Sequence, residues 1–163
     1  MTRGHEILGY MWVYIYKSDK YNRLTKVKAR LVVRGDQQRK GLLKETYTAT
    51  LAGKSFRTMM AIMARFDLEA RQYDVVNAFY NARMTNNVFM RPPPGYPRSA
   101  IVLKLERALY GLRESPLLWQ KEISSSLKAL GFAEVPHEPC YIVRRGIVIF
   151  FYVDDFVVLF RAA

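Results

Sequence analysis

Apolar and polar positions follow two different periods along this chain, and the switches between them mark its elements. From Tyr10 to Tyr16 and from Lys26 to Val33, β-formers alternate or cluster around the polar stretch Ser18-Asp19-Lys20-Tyr21-Asn22. This predicts a cation-rich hairpin, ended by Gly35. Between Ser55 and Phe66 the period lengthens, and Phe56, Met59, Met60, Met63 and Phe66 fall on helical spacing. Ser55 is the expected N-cap and the methionine stripe is expected core. Leu68 to Val76 reads as a strand, Val88 to Arg91 as a short one stopped by Pro92-Pro93-Pro94-Gly95, and Ile101 to Leu105 as another. Ser115-Pro116 opens the longest helix, with Ser as N-cap and Pro in the first helical position. That helix runs through Trp119, Ile123, Leu127 and Leu130 and closes at Gly131. A linker with Pro136 and Pro139 leads to a last hairpin, Cys140 to Phe160, in which Asp154 and Asp155 alone interrupt an apolar run. Two strands with a tight turn at the acidic pair are expected there. The order predicts a single α+β domain, an antiparallel sheet with helices packed on one face.

Size and charge narrow the picture. At 163 residues the chain suits one domain that buries a core without staples, in keeping with its single Cys140. Its longest uncharged apolar run, Ile147 to Val153, is far short of the roughly 20 residues that span a bilayer, so no membrane association is expected. Met1-Thr2-Arg3-Gly4-His5-Glu6 does not read as a leader, and a reducing, intracellular compartment fits best. Lys and Arg number 26 against 14 Asp and Glu, a net +12 that attracts polyanions such as nucleic acid. Lys17, Lys20, Arg23, Lys26, Lys28, Arg30, Arg34, Arg39 and Lys40 crowd the first quarter, while the surroundings of Asp154 are almost free of cations.

Few residue sets can carry chemistry. Gly53-Lys54-Ser55 lacks the glycine a phosphate loop needs at position 48, which is Thr48. His5, His137 and Cys140 have no zinc-ligand spacing. The acids are more informative. Asp74 lies just inside an apolar strand, with Phe79 at its end, and Asp154 and Asp155 interrupt the terminal hairpin. An ionised Asp beside such strands is costly unless compensated, although hairpin turns also favour Asp. If the two strands are neighbours, three carboxylates meet at one sheet edge and can hold two Mg²⁺ that share a phosphate substrate's oxygens.

Seven blocks in order carry a resemblance: Lys28-Ala29-Arg30-Leu31-Val32-Val33-Arg34-Gly35, Glu45-Thr46-Tyr47, Asp74 to Phe79, and Pro93-Pro94-Gly95-Tyr96. Ala108-Leu109-Tyr110-Gly111-Leu112-Arg113 with Ser115-Pro116, then Trp119, and Tyr152-Val153-Asp154-Asp155 complete the set. Together they resemble the reverse transcriptase of copia-type long-terminal-repeat retrotransposons, from about Lys26 to Leu159. The resemblance implies a right-hand polymerase, with about residues 1–70 mostly fingers and 71–163 mostly palm with returning fingers segments. It implies catalytic Asp74, Asp154 and Asp155, which with the Val75 backbone hold two Mg²⁺, Mn²⁺ being a substitute. Lys28, Arg30, Phe79, Tyr110 and Gly111 would contact the nucleotide, Phe79 by barring a 2′-hydroxyl. Gly111 would let backbone approach the substrate, or only turn the chain into the helix. Arg34, Arg113, Ser115, Pro116 and Tyr152 would meet template or primer. Implied partners are an RNA template, a DNA primer, deoxynucleoside triphosphates, and a thumb and ribonuclease H domain outside this sequence. Implied too are a parent polyprotein in cytoplasmic virus-like particles and self-association through surface those absent parts would cover. An inactive nucleic-acid-binding remnant of a degenerate element is the alternative. Two departures stand out: Glu114 replaces the family's usual Gln, and Tyr80-Asn81-Ala82-Arg83 replaces a Leu-containing stretch.

Overall fold

The computed structural model describes residues 7–38, 48, 51–96 and 102–162. Glu45-Thr46-Tyr47, Arg39, Lys40 and the start of the expected Ile101 strand lie outside them. The first quarter folds as expected: β2 (Tyr10–Ser18) pairs antiparallel with β3 (Leu24–Val33), and Asp19 closes the turn by accepting the Tyr21 and Arg23 amides at 2.8 and 3.0 Å. A 3₁₀ turn, Gly35–Gln37, ends it. A small mixed sheet beneath is built from β1 (Ile7–Leu8), parallel to β5 (Phe89–Met90), which pairs antiparallel with β6 (Leu103–Lys104).

The larger sheet has the order β4-β10-β9-β8-β7 and every pairing is antiparallel. Its strands are β4 (Glu69–Asp74), β7 (Ala133–Val135), β8 (Glu138–Arg144), β9 (Ile147–Tyr152) and β10 (Asp155–Phe160). The region expected to be a proline linker is therefore a hairpin, with Pro136 and His137 in its turn and Pro139 in β8. Pro139 is tolerated because the β7–β8 register slips beside Val135, where the ladder is already irregular.

Helices cover both faces of this sheet, not one. Consecutive residues of β9, Phe150 and Phe151, are 1% and 3% exposed, and neighbours in a strand point to opposite faces. Phe150 joins Tyr141 and Leu159 under Met59, Met60 and Met63 of α1 (Gly53–Arg65). Phe151 joins Ile142, Ile149 and Phe156 under Trp119, Ile123 and Leu127 of α3 (Ser115–Ala129) and Ala78 and Phe79 of α2 (Ala78–Asn81). Each such phenylalanine contributes about 1.5–3 kcal/mol by leaving water, so a strand apolar on both sides recruits a cover on each.

Both serines expected as N-caps do other work. α1 begins at Gly53 with Ala52 at its cap, and the Ser55 hydroxyl instead donates to Glu138 of β8 at 2.7 Å. Ser115 is the first residue of α3, behind Glu114, and its hydroxyl donates to the Leu109 carbonyl at 2.6 Å. The other end of α3 is as read: Gly131, at φ +83°, donates to Lys128 while Phe132 donates to Leu127, the paired bonds of a Schellman stop.

One contact ties the basic hairpin to the rest. Val33 of β3 donates to the Tyr110 carbonyl at 2.8 Å, and two glycines meet there: a Cβ on Gly35 would lie 2.0 Å from the Gly111 carbonyl oxygen, one on Gly111 2.1 Å from that of Val33. Arg113 seals the junction by donating from Nε to the Gly35 carbonyl at 2.9 Å. On the other side of the molecule the Trp119 indole donates to the Val153 carbonyl at 2.7 Å, fixing α3 to the β9–β10 turn.

Three expectations follow. Gly111→Ala should lose at least about 2 kcal/mol in denaturant unfolding, since both the clash and its φ of +94° oppose it. Gly53→Ala, at the start of α1, where a Cβ would make only ordinary contact with the Arg57 side chain, should be neutral or stabilising. Trp119→Phe should cost roughly 1–3 kcal/mol, because it leaves a half-buried carbonyl without its donor.

Candidate active site

The two acidic segments are partners. Asp155, the first residue of β10, stands directly opposite Asp74, the last of β4, and the pairing continues one step as the Val75 amide donates to the Asp154 carbonyl at 2.8 Å. The tight turn comprises Val153 and Asp154, one residue earlier than expected, so Asp154 sits in the turn and Asp155 in the strand. β4 stops at Asp74 because Asn77 adopts a left-handed conformation, φ 54°, and α2 begins. Asp74 and Asp155 are exposed and Asp154 half-buried. Gln72, two residues before Asp74 on the same strand, donates to Asp155 at 3.4 Å.

Tyr110 feels the charge of two of the acids. Its hydroxyl is pushed above the ordinary tyrosine value by partial burial first, then by the charge of Asp154, with a smaller push from Asp74; Arg30 pulls the other way. Both carboxylates therefore act on the space around this one hydroxyl. The Arg30 guanidinium lies 5.0 Å from the Tyr110 ring centroid, and Phe79 meets the same ring edge-on at 4.7 Å. Beside them opens a cleft of about 340 Å³ whose lining includes Lys28, Arg30, Asn77, Tyr80 and Tyr110. Cations from β3 and the rings of Tyr80 and Tyr110 thus share one cleft; Asp154 and Asp74 lie close enough to act on the Tyr110 hydroxyl but are not part of its lining.

Among the described residues, no three of His, Cys, Asp and Glu converge closely enough to bind an ion as they stand. Like charges without a counter-ion repel, and exposed carboxylates are free to turn apart. The donor set itself suits a hard divalent cation: carboxylates on paired strands and their turn, with the Val75 backbone beside Asp74.

The remaining expected site residues fall into separate places. Gly111 turns its Cα face to Val33 and Val32 in the glycine junction, where chain packing leaves no room for a Cβ. Arg34 is paired with Asp36 at 2.6 Å, and that hydrogen bond holds the Asp36 carboxyl below its usual range. Arg113 is engaged by backbone carbonyls of the 3₁₀ turn. Ser115 is fully buried and its hydroxyl donates to the Leu109 carbonyl. Pro116 and Tyr152 border a crevice of about 30 Å³ with Phe79 and Trp119, and Tyr152 is half-exposed. Glu114 is buried: Asn86 donates to one of its oxygens at 2.8 Å and the other has no hydrogen-bond partner among the described residues.

Two cleft residues and one clamp were not anticipated. Asn77 carried a signal, since Asn tolerates the left-handed conformation needed between a strand and a helix. Tyr80 registered only as a departure from the family pattern. Nothing local marks Trp119 as the donor to Val153, because that contact joins distant segments.

Residues 1–162 match the family model described as "Reverse transcriptase (RNA-dependent DNA polymerase)". Among relatives, a retrovirus-related Pol polyprotein of the Nicotiana tabacum transposon TNT 1-94 is 31% identical over 98% of the chain, which covers 13% of that polyprotein. That of the Arabidopsis thaliana transposon RE1 is 34% identical over 93% of the chain and 11% of its own length. A Gag-Pol polyprotein of the Saccharomyces cerevisiae transposon Ty1-BL is 29% identical over 80% of the chain and 8% of its own length. The chain thus spans about an eighth of the plant polyproteins or less, and no solved structure gives a significant match. Among the described residues no helix is long and apolar enough to cross a membrane. On the family model and these relatives, the chain belongs to the reverse transcriptases, in their copia-type retrotransposon branch.

Proposed function

We propose that this chain is the fingers and palm core of an RNA-directed DNA polymerase within a retrotransposon Pol polyprotein, working on an RNA or DNA template. The observation that carries the reading is the register that sets Asp155 opposite Asp74 with Asp154 in the adjoining turn. Asp74, Asp154 and Asp155, with the Val75 backbone, are proposed to hold two Mg²⁺. Such ions, when bound, supply activation of the primer 3′-hydroxyl and stabilisation of the leaving pyrophosphate.

The chain's own residues do the positioning. Exposed Asp74 and Asp155 are free to rotate toward Asp154 once a cation offsets their repulsion. Lys28 and Arg30 present positive charge along the cleft where a triphosphate is anionic, and Arg30 is held there by the Tyr110 ring. Phe79, 8% exposed beneath Tyr110, is proposed to bar a 2′-hydroxyl while supporting that ring. Tyr152, beside the acids, is proposed to meet the primer. Most of the rate gain would come from such orientation and charge stabilisation rather than covalent chemistry.

The second reading, a nucleic-acid-binding remnant without polymerase activity, draws on the carboxylates not being gathered among the described residues. Primer extension by the 163-residue chain on an RNA template decides between them. The polymerase reading expects Mg²⁺-dependent incorporation that Asp154→Asn reduces at least a thousandfold. Salt-sensitive binding of primer–template with no incorporation favours the remnant. Full extension by Asp154→Asn refutes the assigned acids. In the same assay Arg30→Ala should raise the apparent KM for deoxynucleotide about tenfold or more, by removing a charge-assisted contact.

A further inference from the structure

The hairpin β2–β3 has two faces of unlike chemistry. On one, Arg30, Lys28 and Lys26 stand opposite Val13, Ile15 and Lys17, and this face turns to the cleft, where Arg30 covers Tyr110. On the other, Trp12, Tyr14 and Tyr16 follow one another opposite Leu31, Ala29 and Val27. The inner end of that second face is covered, since Tyr10, Leu31 and Val33 pack with Leu8, Val88 and Met90. Outward it is bare: exposure climbs from 45% at Trp12 through 58% at Tyr14 to 68% at Tyr16. The Trp12 and Tyr14 rings lie 6.5 Å apart with 26° between their planes, a ladder set by the strand's own two-residue repeat.

An aromatic row of this extent left in water marks a contact surface. Charge selects its occupant. Between Tyr10 and Val33 there are Lys17, Lys20, Arg23, Lys26, Lys28 and Arg30 against the single acid Asp19, and Arg23 pairs with that acid at 2.9 Å. A second copy of a chain carrying +12 would set like charge against like, whereas a polyanion is drawn in. At the hairpin tip Lys20 and Arg23 both sit 5.0 Å from the Tyr21 ring centroid, cations held beside another exposed aromatic.

We propose that the Trp12, Tyr14 and Tyr16 face is a stacking platform for single-stranded nucleic acid, separate from the nucleotide cleft on the opposite face. Bases stack on the rings without regard to sequence, because every base offers a π-face, and the tip cations Lys20 and Arg23 take phosphates. The platform goes beyond the polymerase reading and does not depend on it, since this binding needs neither magnesium nor a triphosphate.

The test is fluorescence anisotropy of a labelled oligouridylate about 12 nucleotides long, within the usual site size of such surfaces, titrated with the full chain in EDTA. Trp12→Ala/Tyr14→Ala should weaken binding about tenfold or more, and Trp12→Phe/Tyr14→Phe should retain most of it. Where the double alanine variant lowers the thermal midpoint, Tyr16→Ala, at the most exposed rung, carries the test with an expected loss of about threefold to tenfold. Wild-type affinity in these alanine variants, with affinity lost instead in Lys28→Ala/Arg30→Ala, would place the strand wholly in the cleft and overturn the proposal. It fails equally if the alanine variants keep their RNA affinity but convert an associated chain to monomer in sedimentation, which would make this face a contact between copies.

Discussion

Two like charges oppose each other across the pair of strands on which the site is built. Asp74 and Asp155 are direct partners in an antiparallel ladder, an arrangement that weakens a sheet by up to about 1 kcal/mol where nothing offsets it. The rest of β10 outweighs that cost. Phe156 and Leu159 are buried on opposite faces, and each such side chain contributes about 1.5–3 kcal/mol by leaving water. The ladder therefore holds the acids in register without any ion, and their repulsion is available to be relieved by whatever cation enters. Stability is generated in the covered middle of the sheet and spent at its end, where the carboxylates reach water.

The second constraint is the junction that fixes β3 and its cations to the turn carrying Tyr110. β3 carries Lys28 and Arg30, and its far end is fixed to the Tyr110–Gly111 turn by one amide bond and by two backbones too close for any Cβ. Because Tyr110 belongs to that same turn, the residue whose ring carries Arg30 is placed by the contact that orients the strand. Phe79 then meets Tyr110 from the core side, so hairpin, turn and α2 converge on one aromatic ring. Displacing the glycine contact would disturb packing and cleft together.

Much of this was legible in the sequence, for identifiable reasons. Period-2 and period-3.6 patterns are local, and they located the basic hairpin, both long helices and the terminal strands to within a few residues. The acids were recognisable because charged residues inside apolar strands are costly, but their pairing was only conditional, since periodicity says nothing of which strands are neighbours. The errors share a cause. Ser55 and Ser115 read as caps because serine usually satisfies its own helix start; here each hydroxyl found a tertiary partner, Glu138 and the Leu109 carbonyl. The second helical layer was missed although Phe150 and Phe151 are adjacent and both apolar, a doublet that a strand covered on one side does not need. Glu114 stood out only as a departure from the family's usual Gln; that it lies inside, with Asn86 as donor, depends on a tertiary contact no local pattern shows.

The turn that carries Asp154 is not shaped by its own residues. Val153 has φ 57°, in the left-handed region that a β-branched side chain avoids, at a turn position where glycine would be at ease. Such a conformation costs about 1–3 kcal/mol and persists only where its surroundings impose it. Both turn carbonyls are gripped from outside the hairpin: that of Val153 by the Trp119 indole of α3, that of Asp154 by the Val75 amide after β4. Each hydrogen bond contributes about 1 kcal/mol, and Val153 adds packing against the core beneath α3, enough together to hold the strained form. The position of Asp154 is thus tied to α3 on one side and to the Asp74 strand on the other. A valine here, where glycine would relax, keeps the turn dependent on those two elements, so the acid is correctly placed only when helix, hairpin and edge strand are assembled together.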